Sequence, residues 1–423
     1  MEKKLSVVGK NVIKKDAFEK VTGKTVFSAD LDMEDMLYGA VLRSTVPAAV
    51  IKNIDTSKAR ALEGVESVLT AKNIPGRNAV GIILKDEPIL VEDKIRRIGD
   101  AIAIVAAKTE ETAQEALSLI DVTYEEIEPI FTFDRAIQED SPNIHGITNV
   151  LQTKHLRHGD VRAGFEKCDV IVEHTYKTSM LSHMFIEPEA GLATYENGMI
   201  TIYSSTQNPH FDRGEVAAMM AFPQNKVRSV QMTTGGGFGG KLDISVQCHA
   251  ALLAYNTKKP VKMVRKRTES AMVSSKRHPM TIHARTGATK EGKLMAMEVT
   301  MRGDTGAYAS YGPAVITRAM VHCTGPYVIP NVSIDATFVY TNNPMAGAFR
   351  GFGVPQVALV HEGQIEALAK ELSMDSVALR LINLQHPGAE TSTGQKLGSD
   401  VGLETCISQV LSKRKELDGK EGD

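Results

Sequence analysis

Apolar and polar positions divide the chain into two regimes. Ala101 to Ala107 reads AIAIVAA, a continuous apolar run with the length of a strand buried on both faces. TEETAQEALSLI follows, with Ala113, Ala116, Leu117 and Ile120 at helical spacing. Thr109 stands where a cap is needed, and two glutamates in the first turn suit the helix dipole. VTYEEIEPIF predicts another strand, and Pro129, with no amide hydrogen for a neighbour, places it at a sheet edge. Short strands and helices thus alternate from about Lys20 to Pro129.

Between Glu139 and Asn149 the chain turns polar, with Pro142, Asn143 and Gly146 close together, which predicts a domain boundary near residue 145. Beyond it, strand patterns such as GMITIYSST and SIDATFVYT mix with helical ones such as PQVALVHEGQIEALAKELSM. A Gly- and Ser-rich stretch follows Pro387, and the charged end, SKRKELDGKEGD, is expected to fray. The expected organisation is residues 1–145, 146–390 and a C-terminal extension 391–423, without internal repeat.

One segment holds more glycine than a tight turn needs. TTGGGFGGKL, Thr233 to Leu242, fits the G-x-G-x-x-G pattern of dinucleotide sites, and fits a phosphate loop until Leu242 replaces the hydroxyl residue that would hold magnesium. Its flanks predict strand (VRSVQMTT), helix (DISVQCHAALLAYNT, with Ile244, Cys248, Ala251 and Tyr255 on one face) and strand (VKMVR). The acid expected after that second strand is absent, and Arg265, Lys266 and Arg267 stand there instead. A basic residue could hold a 2′-phosphate, so the dinucleotide reading stays open. Under any reading, consecutive glycines free backbone amides and let a ligand approach the main chain.

Two further stretches carry chemistry. AFRGFGVPQ, Ala348 to Gln356, sets Arg350 between Phe349 and Phe352, which suits either an anion bearing a ring or a loop packed on its own side chains. SSTQNPH, Ser204 to His210, places Gln207 in a polar turn after a strand.

At 423 residues and 42% hydrophobic, the chain suffices for roughly two to three domains. Its 49 basic and 51 acidic residues leave a net charge of -2, which argues against nucleic acid or an anionic membrane as the main partner. Cys168, Cys248, Cys323 and Cys406 are too scattered for an iron–sulfur, zinc or disulfide framework. No window approaches the ~18 apolar residues of a membrane span, and MEKKLSVVGK lacks a signal-peptide core, so a cytoplasmic protein is expected.

Taken together, STQNP, TGGGFGGK and AFRGFGVPQ, in this order, resemble the molybdenum-binding part of the xanthine dehydrogenase and aldehyde oxidase family, the molybdenum hydroxylases. KVTGKTVFSADL, LYGAVLRS, VTYEEIEPI, IEPEA (186–190), RHPM (277–280) and TRAMVH (317–322) extend the resemblance over most of the chain. It implies an α+β chain: an N-terminal α/β hammerhead domain, then the first half of the molybdopterin-binding region. It further implies that Gln207 bonds the oxo ligand of molybdenum, that the backbone of Gly237, Phe238 and Gly239 lines metal and pterin, and that Arg350 adds a backbone contact. Phe352 would stack on an aromatic substrate. Scattered histidines such as His155 and His158 would be surface residues, since pterin sulfurs hold the metal.

Two departures shape the expected function. The family's catalytic glutamate lies in a segment resembling GEPP; DEPIL, Asp86 to Leu90, is the comparable text here and reads as a surface loop. No catalytic base can be named in this chain, so the resemblance implies that a second molybdopterin subunit supplies it, with iron–sulfur and FAD subunits carrying electrons away. The cofactor expected is molybdenum–molybdopterin in its cytosine dinucleotide form, with a terminal sulfido or selenido ligand. Secondly, xanthine-specific members carry a glutamate after GGK where this chain has Leu242, while Arg318 keeps the family's other substrate residue. Losing an acid and keeping a base favours an anion, since a buried unpaired arginine is costly and a carboxylate pairs with it bidentately. A small aromatic carboxylate such as nicotinate is the expected substrate, a purine the alternative, and a cofactor-carrying scaffold without activity the alternative of another class.

Overall fold

The computed structural model describes residues 5–418. Its larger sheet has seven strands, in the order Val227–Gln231, Met199–Ser204, Ala190–Glu196, Val261–Val264, Leu37–Arg43, Ala101–Ala107, Val65–Thr70. Leu37 and Tyr38 pair in parallel with Val261 and Lys262, so strand pairing crosses the expected boundary near residue 145. Ala101–Ala107 is apolar throughout because both its faces are covered. Ile104 and Ala106 enter a core with Ala250 and Leu253, whereas Ala103 and Val105 face Ala59 and Ala116. Helix Glu110–Ser118 starts at Thr109, whose hydroxyl accepts the Thr112 amide, and Asp121–Glu126 is the edge strand of a three-stranded sheet.

The second layer is a five-stranded sheet, ordered Val150–His158, Val332–Val339, Leu294–Asp304, Met280–Ala288, Val170–Thr178. Helices Gly312–Val321 and Val354–Glu371 pack on it through Ile316, Val357 and Leu368 against Ile282, Met301, Ile334 and Phe338. His155 on its first strand is exposed and bonded to Asp335, and His158 is partly exposed.

Several expectations need correction. Val227–Gln231 and Val261–Val264 are separated in the sheet by two strands, and Ala190–Glu196 between them runs antiparallel to both of its neighbours. A dinucleotide-binding βαβ unit needs parallel neighbours and a helix opening directly on the glycines. Here the helix is Gln247–Thr257, beginning well after Gly240, and it buries Gln247 through Ala254 on all sides instead of one face. DEPIL is no surface loop: Ile89 and Leu90 are buried, Asp86 accepts the Ala309 amide and the Tyr340 hydroxyl at 2.9 Å, and Glu87 pairs with buried Arg97 at 3.0 Å. Its apolar half supplies burial, and both of its acids find partners, those of Asp86 lying across the boundary. The charged end is helical over Leu403–Asp418, held by Leu403 and Ile407 packing on the core, and residues 419–423 lie outside the described residues.

Candidate functional site

Three loops meet at one open depression between the layers. Gln207 follows strand Met199–Ser204, the glycine loop follows Val227–Gln231, and Ala348 to Gly353 precede helix Val354–Glu371. With Arg318, carried by helix Gly312–Val321, the depression is lined by Gln207, Phe238, Gly239, Leu242, Arg350 and Phe352, alongside Ala348, Phe349 and Gly351. No carboxylate is among them. Gly237 lies just behind, against Gln207.

Gln207 is oriented by its neighbours. Its Oε1 accepts the amides of Gly239 at 2.9 Å and Lys241 at 3.3 Å, which assigns Nε2 as the free end. Nε2 and the amides of Gly236, Gly237 and Phe238 have no acceptor among the described residues. A wall with several preorganised donors left over fits a group rich in oxygen and sulfur acceptors, as a metal–pterin centre is.

The glycines have a reason that composition does not reveal. A Cβ on Gly237 would lie 2.4 Å from Gln207 Oε1, on Gly239 2.6 Å from the Ala348 carbonyl oxygen, on Gly240 2.8 Å from His183 Nδ1, and on Gly235 2.6 Å from Glu187 Cβ. Close approach by backbone and fixed side chains therefore favours glycine at Gly235, Gly239 and Gly240 before any ligand is considered, whereas at Gly237 the flexible Gln207 carboxamide can move aside. Phe238 and Phe352 both hold φ of 53°, a left-handed conformation that aromatic residues avoid. The Arg350 amide donates to the Phe238 carbonyl at 2.9 Å and ties the two loops together.

Sequence reasoning missed the support behind this wall. Lys241 is buried, and its ammonium donates to the Glu187 carbonyl and carboxylate, both at 2.8 Å, and to Ser205 Oγ at 2.6 Å. Burial pushes its pKa below the ordinary lysine range, against the pull of Glu187. The same Glu187 carboxylate accepts the Gly235 amide at 2.6 Å. His183 stacks on Phe349 and bonds the Ala348 carbonyl, while Arg277 lies 4.0 Å over the Phe349 ring and donates to the Arg350 carbonyl. IEPEA and RHPM carried Glu187 and Arg277 into the resemblance, but neither residue had a visible partner.

Two site expectations change. Arg350 cannot offer its amide hydrogen to a ligand, because Phe238 already accepts it. Arg318 is exposed in this chain instead of buried, and its guanidinium has no ion-pair or hydrogen-bond partner among the described residues. It is exposed at the depression, where a group bound there could cover it.

The fold and this wall define the molybdopterin-binding part of a molybdenum hydroxylase. Residues 22–128 match the aldehyde oxidase and xanthine dehydrogenase a/b hammerhead domain, and residues 144–384 the molybdopterin cofactor-binding domain. The chain belongs to the aldehyde oxidase and xanthine dehydrogenase family of molybdenum hydroxylases. It is 62% identical to the nicotinate dehydrogenase large molybdopterin subunit of Eubacterium barkeri, over 100% of this chain and 99% of that one. It is 32% identical to the xanthine dehydrogenase/oxidase of Gallus gallus, over 96% of this chain and 30% of the relative. The aldehyde oxidoreductase of Desulfovibrio gigas superposes with a TM-score of 0.91 at 31% identity, over 95% of this chain and 46% of that one. The chain thus spans less than half the length of these last two relatives. No helix of the described residues is long and apolar enough to cross a membrane.

Proposed function

We propose that this chain is the large molybdopterin subunit of a multi-subunit hydroxylase that inserts water-derived oxygen into an N-heteroaromatic carboxylate, nicotinate being converted to 6-hydroxynicotinate. The observation that carries this reading is the lining of the depression: two arginines, three phenylalanines and no acid, beside the free amide end of Gln207. A flat anionic ring matches that lining, with its plane against Phe352 and its carboxylate toward Arg318. The 62% identity to a chain named for nicotinate supports the same substrate, and Leu242 removes the acid a purine would use.

Bound molybdenum–molybdopterin, in the cytosine dinucleotide form with a terminal sulfido or selenido ligand, supplies the oxygen donor and the acceptor for the substrate's hydride. This chain's part is to hold and orient. Gln207 Nε2 would donate a hydrogen bond to an oxygen of the bound group, the amides of Gly237 and Phe238 would line it, and Phe352 and Arg318 would present the ring carbon beside nitrogen. The substrate C–H becomes C–OH, and the electron pair and protons leave through partners. A second molybdopterin subunit supplies the glutamate base, and iron–sulfur and FAD subunits take the electrons, in the cytoplasm. Domain limits of 1–145, 146–390 and 391–423 accompany this reading. Metal analysis and turnover of the purified complex test it. Molybdenum with nicotinate hydroxylation is expected; absence of molybdenum, or turnover of xanthine but not nicotinate, would overturn it.

A further inference from the structure

The segment Leu5–Val26 buries no residue among those described. Helix Ala17–Val21 buries no residue, and Val7, Val8, Val12, Ile13, Phe18 and Val21 are exposed, Ile13 by 87% and Val21 by 82%. So many large apolar side chains in one short segment exceed the scattered exposure normal for a surface. The segment also carries five lysines against one aspartate and one glutamate, and Lys10, Lys14 and Lys15 make no salt bridge among the described residues. The anchor lies next to the candidate site. Phe27 bridges to Thr233, and its ring stands 3.3 Å from where a Gly235 side chain would begin. On the far side of Gly235, whose carbonyl accepts the Glu187 amide, Ile186 is 91% exposed, with Met184 and Leu181 exposed beside it. Exposed apolar residues thus stand on both sides of the glycine loop, in the strap and at Leu181, Met184 and Ile186.

We infer that Leu5–Val26 is a docking strap that lies along the partner subunit completing the molybdenum site, seated in an apolar groove with an acidic rim. Resting on the heteromeric reading above, this identifies which surface of the chain the partner covers first. Two observations choose this occupant. The strap leaves the chain beside the glycine loop whose Phe238 and Gly239 line the open site, within reach of a polypeptide that closes over it. The chain also spans 46% of a structure that superposes on it at a TM-score of 0.91, so more than half of that relative lies outside the part this chain matches. A helix of only five residues is too short for the amphipathic face that a membrane surface requires.

Hydrogen exchange of the purified complex and of the isolated chain tests the strap. Amides of residues 7–26 are expected to exchange at least about tenfold more slowly in the complex, since in the free chain their hydrogen bonds are confined to local turns and a five-residue helix. An Ile13→Asp, Val21→Asp double variant should melt like the wild-type chain, because neither side chain packs on the core, yet bind its partner at least about tenfold more weakly. A complex that forms normally while the strap exchanges as in the free chain would overturn the strap alone. Protection already present in the isolated chain, with a dimer mass, would assign the strap to a second copy and overturn it too. Absence of any complex would instead overturn the heteromeric reading.

Discussion

Replacing Arg318 by alanine asks whether the substrate is an anion and whether the pocket closes. The guanidinium is exposed and has no partner among the described residues. If it stayed in water, its pairing with a carboxylate would contribute up to about 1 kcal/mol, about fivefold in kcat/KM. If a partner covers the depression, water no longer competes and the loss should reach about 2 kcal/mol or more, at least about thirtyfold. Steady-state turnover of nicotinate and of its uncharged amide, nicotinamide, by the purified complex separates these cases. The expected result is a loss of at least about thirtyfold for the acid and under about threefold for the amide, with Arg318→Lys recovering only part because it cannot bind both oxygens. Equal losses for acid and amide would refute the anion assignment, and a fivefold loss confined to the acid would show a pocket open to solvent.

Other substitutions probe the wall and its supports. Gly237→Ala should leave the fold intact but swing the flexible Gln207 amide away, read as an altered molybdenum spectrum with little change in melting, whereas Gly239→Ala, meeting the Ala348 carbonyl at 2.6 Å with φ of 101°, should cost about 2–3 kcal/mol of stability. Lys241→Met strands the Glu187 carboxylate and should destabilise the chain by about 3–5 kcal/mol in denaturant melts; a change under about 1 kcal/mol would mean that the pair holds nothing together. Asp212 is fully buried, and burial pushes its pKa up to about 7 against bonds from Thr206 and Gln247. Because that value is raised, the stability Asp212 contributes is full below about pH 4 and lost as pH rises to about 7, so Asp212→Asn should gain on wild type by up to about 4 kcal/mol above pH 7, and a pH-independent difference would contradict this.

What was legible in the sequence was local or long enough to be specific. Thr109 and its two glutamates announce a helix start within one turn, and AIAIVAA reports burial on both faces through its own composition. The three loops could be placed together because each retains its motif, and they do line one depression. Pairings across long separations leave no such mark. Glu187 looks like an ordinary acid until Lys241, 54 residues later, proves to be buried against it. DEPIL looked exposed because its acids were visible and their partners, Arg97, Ala309 and Tyr340, were not.

The same limit explains why five glycines in six positions read as a ligand wall more than as a tight turn or close packing. A glycine needed because a neighbouring carbonyl oxygen lies 2.6 Å from its would-be Cβ, as at Gly239, is indistinguishable, in sequence, from one needed by a cofactor. The structure separates the two by strain. Phe238 and Phe352, at the tips of two loops, are both held in a conformation that costs about 1–3 kcal/mol each, and the Arg350 amide bond to the Phe238 carbonyl joins them. Neither loop could hold its aromatic residue there by itself without that cost falling on local backbone bonds. Held together, with Gly239 packed against Ala348, the loops form one rigid unit whose amides need not rearrange when charge develops in front of them. Disturbing the contact at Gly239 should therefore release Phe238 and Phe352 together, and a Gly239→Ala structure in which only one of them leaves the left-handed region would show the loops to be independent.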